Sequence, residues 1–183
     1  MWHYMWAHVS FHLTRWFPRD DRTRIRIVLF LFTTALLIPQ LVVLLMEETG
    51  TRFCEPSLFN LLVASICFTL FTIGFTVLFS TMEPIPWQIK LLFHIFGCAS
   101  AILGIIQISY VVQGTESCKE NVAALYYLSM ALAIFSGFSI VFFLLSIPFW
   151  IINRLCPEAV LNRRSKVGIC YEPVRCCNCI WHV

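Results

Sequence analysis

Residues 123–152 read AALYYLSMALAIFSGFSIVFFLLSIPFWII, a run with no charge in it, closed by Asn153 and Arg154. A membrane span needs about 20 consecutive apolar residues, and this run exceeds that length. It is apolar on every side, whereas a helix on the surface of a soluble protein keeps one polar face. The stretch therefore predicts a transmembrane helix.

Composition says the same of the whole chain. Apolar residues make up 59% of its 183 positions and charged residues 13%, with 17 phenylalanines. Soluble domains hold roughly 45–50% and 25%. A soluble core of this size would leave large sticky patches in water, whereas lipid solvates them. Three more apolar stretches precede the first, at residues 25–46, 58–79 and 91–112, and the fourth span covers 123–150. The expected fold is all-α: a polytopic integral membrane protein whose four-helix domain occupies residues 25–152. Residues 1–24 form an N-terminal amphipathic segment, and residues 153–183 a cysteine-rich basic tail. There is no internal repeat, low-complexity segment or separate globular domain. Pro39-Gln40 interrupts the first span, and a proline there removes a backbone bond and kinks the helix.

Charge distribution predicts the orientation. Arg15, Arg19, Arg22, Arg24 and Arg26 lie before or at the start of span one, Lys90 in the middle connector, and Arg154, Arg163, Arg164, Lys166 and Arg175 in the tail. The other two loops hold only Arg52 and Lys119. Cationic residues concentrate on the cytoplasmic side of a bilayer, so both termini are expected there. Aromatic residues mark the span edges, Tyr110, Tyr126 and Tyr127 at the outer interface and Trp87 and Trp150 at the inner one.

The first 24 residues lack the order of a secretory signal, since aromatics precede the arginines. On a helix, Trp2, Trp6, Val9, Leu13 and Trp16 form one stripe, and His8, His12, Arg15 and Arg19 a second. An aromatic face beside a cationic one predicts a helix lying in the headgroup region. His3, His8 and His12 invite a metal-site reading, but only two share a face and no thiol or carboxylate completes a site.

The expected topology sorts the nine cysteines. Cys54 and Cys118 stand one in each non-cytoplasmic loop, and in a secretory-pathway or plasma membrane that side is oxidising. They predict a disulfide, with two unpaired or intermolecular thiols as the alternative. Cys67 and Cys98 fall inside spans, where the residue acts as a small hydrophobe. Cys156, Cys170, Cys176, Cys177 and Cys179 lie in the basic tail. Their spacing lacks the paired C-x₂₋₄-C pattern of zinc sites, and thiols near the cytoplasmic face beside basic residues point to palmitoylation. Val183 gives a weak signal for capture by a PDZ-type groove.

Polar and small residues inside the spans fall on faces. Ser65, Thr69, Thr72 and Thr76 point one way from span two, Ser129, Ala133 and Gly137 one way from span four. Gly97 with Ala101 and Ser100 with Gly104 are small-xxx-small pairs. Such faces predict close helix packing. A hydroxyl-lined path is the alternative for span two, and no acid or basic residue in mid-span favours it. Gln40, Asn60 and Gln107 suit interhelical bonds, and His94 is the one histidine within a span.

Enzyme chemistry finds no footing. The spans have no paired carboxylates, phosphate loop or H-E-x-x-H helix, and loops of about ten residues are too short for a soluble active site. Neither a cofactor nor a nucleic-acid partner is implied. The expected role is a non-enzymatic adaptor or accessory subunit that forms homo- or hetero-oligomers in the bilayer. A small oligomeric channel or transporter is the alternative. No N-x-[ST] acceptor or retention signal indicates which membrane.

Overall fold

The computed structural model describes residues 1–16, 22–50, 56–82, 85–113 and 116–155, and every regular element among them is helical. Helix α1 is Trp2–Trp16, α2 Arg22–Ala35 and α3 Leu37–Leu45, followed by the single turn α4, Glu47–Gly50. The long helices are α5, Pro56–Thr81, α6, Trp87–Gln113, and α8, Ala123–Leu155, with the short α7, Glu116–Asn121, ahead of α8. Among the described residues, four stretches are long and apolar enough to cross a membrane: Thr23–Leu45, Leu58–Thr81, Trp87–Gln113 and Ala123–Leu145. The chain is an all-α, multi-pass membrane protein.

Its outer surface needs lipid. Leu45 is 81% exposed, Val112 79% and Phe138 69%, among many large apolar side chains that face outward. In water such a surface would drive aggregation. In hydrocarbon it is already in its preferred solvent.

Span one is two helices rather than one. Helix α2 ends at Ala35, four residues before Pro39, whose ring clashes with the carbonyl of residue i−4 and whose nitrogen cannot donate to it. Leu36 keeps near-helical dihedrals between the two pieces, φ −66° and ψ −18°. The Gln40 Nε2 amide donates to the carbonyl of Leu36, the residue that joins the two pieces, at 3.0 Å. Pro148 has no such effect, and α8 continues through it to Leu155.

Two apolar clusters divide the bundle along its length. At the end holding the α3–α5 and α6–α8 connections, Val43, Leu58, Leu61, Leu62, Ile66, Val122 and Leu125 close the spans directly on one another. At the opposite, basic end the second cluster joins Phe75, Phe79, Phe93 and Phe96 to Met1, Tyr4 and Ala7 of α1. Here the spans are wedged apart by α1, which packs on α2, α5, α6 and α8. Fifteen residues at 1.5 Å each make α1 about 22 Å long. It begins beside Ser100 and Thr69, midway along α6 and α5, and reaches Phe79, close to the basic end of α5. A short helix thus fills the half of the bundle that the four spans leave open.

Candidate functional site

Helix α1 and the walls that hold it form the most elaborated site in the molecule. Its buried stripe is His3, Ala7, Ser10 and Thr14, spaced four, three and four. Ala7 and Ser10 are small enough to let backbones approach closely. Their hydroxyl neighbours cause no polar deficit, because Ser10 Oγ donates to the Trp6 carbonyl at 2.9 Å and Thr14 Oγ1 to that of Ser10. In the sequence this stripe is masked by the more conspicuous tryptophans and histidines of the same helix. Its signal is small or polar residues recurring at helical spacing, the same signal that marks the packing faces of spans two to four.

The tryptophan face is correspondingly not a headgroup-facing surface along its length. Trp2 is buried and its ring stacks on His3 with centroids 3.9 Å apart. Trp6 Nε1 donates to Thr33 Oγ1 of α2 at 2.8 Å, with its ring 5.1 Å from Phe32. Protein, rather than lipid headgroups, meets these two indoles, because the fold offers an unfilled interior and aromatic rings bury more apolar area there. Trp87 is exposed at the start of α6, while the side chains of Trp16 and Trp150 lie outside the described residues.

On the α6 side, Tyr4 is the anchor. Its ring stacks on Phe93 at 4.4 Å and lies against the Gly97 backbone, where a Cβ would stand 2.6 Å from Tyr4 Cδ2. Glycine at 97 is needed for that approach. Phe93 in turn meets Phe79 edge-on at 4.7 Å and Phe75 at 5.2 Å, geometries that suit the aromatic quadrupole. The backbone nitrogen of Met1 donates to the Ser100 carbonyl at 2.6 Å.

On the α5 side the hydroxyl stripe faces inward. Ser65, Thr69, Thr72 and Thr76 are all buried. Thr69 is a node: its proton goes to the Ser65 carbonyl at 2.8 Å. Its lone pairs can then accept from Gln40 Nε2 at 3.0 Å and from His3 Nε2 at 3.3 Å, the latter when that nitrogen carries the imidazole proton. One hydroxyl thus ties α1, α3 and α5 together. Thr72 donates to the Phe68 carbonyl at 2.8 Å, and Thr76 lies in a small cavity with Arg26, Ile27 and Phe30 of α2.

The other small-residue faces serve several partners. Gly97 meets Tyr4 rather than a span, and Ala101 packs on the aromatic cluster. A Cβ on Gly104 would stand 3.2 Å from Ser136 Cβ, marking the close crossing of α6 and α8. Ser129 and Ala133 are buried on α8, and Gly137 faces Ile108. Cys67 and Cys98 are exposed on the outer surface as free thiols, not packed inside. The side chain of Cys118, together with Cys54, Cys156, Cys170, Cys176, Cys177 and Cys179, lies outside the described residues.

Three histidines gather where α1 approaches the basic end. His8 and His12 place their Nε2 atoms 3.0 Å apart, so one proton is shared between them. Burial, with His12 and His94 as positive neighbours, pushes the His8 imidazole below its ordinary range, and burial beside the Met1 amino group does the same to His3. Both are neutral in the packed state. Among the described residues no group of three or more His, Cys, Asp or Glu could hold a metal ion.

Two crevices flank α1. One, of about 190 Å³, runs between α1 and α8 past His8, His12, Phe142 and Phe143. The other, of about 280 Å³, lies between α6 and α8 beside α1 and is lined by Tyr4, His94, Gly97, Cys98, Ala101 and Phe143. Both share Met1, Tyr4 and Phe143 as a common wall. Comparison of the chain with family models, curated proteins and solved structures finds no match.

Proposed function

We propose that this protein is a non-enzymatic, four-span adaptor or accessory subunit that works by lateral association in the bilayer. The observation that carries the reading is the state of the α5 hydroxyl stripe. Ser65, Thr69, Thr72 and Thr76 are buried, and Thr69 bonds to its own helix, to Gln40 and to His3. A water path needs its polar lining available to solvent, and α1 stands beside this one as a filler. The exposed faces are apolar and suited to contact with lipid or other spans.

In this reading both termini are cytoplasmic, as the concentration of Lys and Arg at one end argues. Cys54 and Cys118 form a disulfide across the outer loops, and the tail cysteines are palmitoylated near the inner face. The bridge predicts a mobility difference on non-reducing electrophoresis between the wild type and Cys54→Ser. Identical monomer migration with and without reductant would remove it. Absence of thioester-linked lipid on the expressed tail would remove the acylation.

The test of the main reading is affinity capture in mild detergent followed by reconstitution of the purified protein into liposomes. Reproducible membrane-protein partners, with no ion or solute flux from the protein alone, are expected. Flux that Thr69→Leu or Thr72→Leu alters would overturn the adaptor reading in favour of a channel or transporter.

A further inference from the structure

A crevice of about 210 Å³ lies between α2 and α5 at the basic end, and Arg26, Thr76, Ser80 and Thr81 line it. Arg26 belongs to the first apolar stretch, Thr23–Leu45, and a cation inside a span marks a site by default because it is costly there without a partner. Among the described residues nothing accepts from its enclosed Nε. The acids of the described helices, Glu47, Glu48, Glu116 and Glu120, belong to α4 and α7 at the opposite end. Thr76 stands five residues before the end of α5, about 7.5 Å along the axis. The hydroxyls of Thr69, Thr72, Ser80 and Thr81 donate to carbonyls of their own helix three or four residues back. Thr76 makes no such bond: it is 1% exposed and its Oγ1 has no partner. A guanidinium can only donate and a hydroxyl can also donate. What both enclosed groups of this one crevice lack is therefore an acceptor, and leaving them without one costs free energy.

We propose that this α2–α5 crevice binds the phosphate of an anionic phospholipid in the leaflet at the basic end. The guanidinium edge that includes Nε forms a forked pair with two phosphate oxygens, the geometry to which arginine is suited, and Thr76 donates to the same group. Threonine in a helix has two favoured χ1 rotamers, and turning Thr76 between them breaks no bond, because its Oγ1 makes none. Lipid is the source of the phosphate because Ile27, Phe30 and Val77, the apolar part of the same wall, are exposed. The crevice thus opens onto the surface that hydrocarbon covers, and basic pockets between membrane helices bind such headgroups. Its volume is below the roughly 300–1,000 Å³ of pockets that enclose whole ligands, which suits a headgroup phosphate whose chains stay in the bilayer. The proposal requires the membrane placement of the spans and stands independently of the adaptor or channel reading.

The test uses the full chain, reconstituted in vesicles of equal phosphatidic acid and phosphatidylcholine content and re-extracted in mild detergent. Native mass spectrometry is expected to show one phosphatidic acid retained per chain in preference to phosphatidylcholine. Retention should fall about fivefold in Arg26→Gln, the loss of one cation's attraction for an anionic lipid, and by less in Arg26→Lys, which keeps the charge without the fork. Arg24→Gln removes a like charge two residues away and should leave retention unchanged. Thr76→Val should lower retention without lowering the melting midpoint, because it deletes a hydroxyl that bonds to nothing in the fold; this variant separates binding from stability. Excess inorganic phosphate should not displace the lipid, and displacement would overturn the lipid assignment in favour of free phosphate. Equal retention of the two lipids, retention unchanged in Arg26→Gln, or an equal loss in Arg24→Gln would overturn the site.

Discussion

The ring of Tyr4 and the backbone of Gly97 are in contact so close that a Cβ at position 97 would stand 2.6 Å from Tyr4 Cδ2. Helix α1 is therefore seated against α6 through the absence of a side chain. Gly97→Val should unseat it, at a cost of about 1–3 kcal/mol for overpacking, seen as a lower melting midpoint in detergent and increased protease access to α1. Tyr4→Ala in the same chain should restore part of the loss. A Gly97→Val protein with unchanged protection of α1 would refute this seating.

Thr69 joins three helices through one hydroxyl. Thr69→Val keeps the shape but removes one of the two acceptors of the buried Gln40 amide and the hydroxyl that His3 Nε2 meets, and a lost bond to a buried group costs about 1–3 kcal/mol. Gln40→Leu should be less harmful in the Thr69→Val background than alone. A double-mutant cycle on thermal stability reads that coupling directly.

His3 and His8 have lowered pKa values because burial disfavours their cations. The sign follows from linkage: the unfolded or undocked histidine binds more protons, so docking is most stable above the ordinary imidazole pKa of about 6.5 and weakens as pH falls below it. Hydrogen exchange in α1 should therefore accelerate on acidification from about pH 8 to about pH 5, before exchange in α5 or α6 changes. His3→Gln with His8→Gln should flatten the profile.

Two phenylalanines separate protein packing from lipid contact. Phe93 is 0% exposed and touches Tyr4, Phe75 and Phe79, whereas Phe138 is 69% exposed. Phe93→Ala should destabilise by about 3–5 kcal/mol through the cavity it leaves. Phe138→Ala should be close to neutral, because lipid surrounds that ring in the folded bundle and fills the space it vacates. Equal effects of the two changes on the melting midpoint would contradict this division.

The sequence by itself determined the class and the number of spans. A charge-free run such as residues 123–152 has few fates other than hydrocarbon, and periodicity need not be resolved to see it. The break in span one was legible at Pro39, since proline acts on its own helix through covalent geometry. The inward direction of Ser65, Thr69, Thr72 and Thr76 was legible too, from their spacing on one helix. What those residues would meet was not. The place of α1 depended on the space that α2, α5, α6 and α8 leave between them, and on Gly97 offering a surface to Tyr4. Neither is written in residues 1–16, where the same tryptophans fit a headgroup layer as well as a protein interior. Local sequence specifies which face of a helix is apolar or small. Only the tertiary arrangement decides whether lipid, another span or an N-terminal wedge fills the volume opposite it, because that volume is a property of all the helices at once.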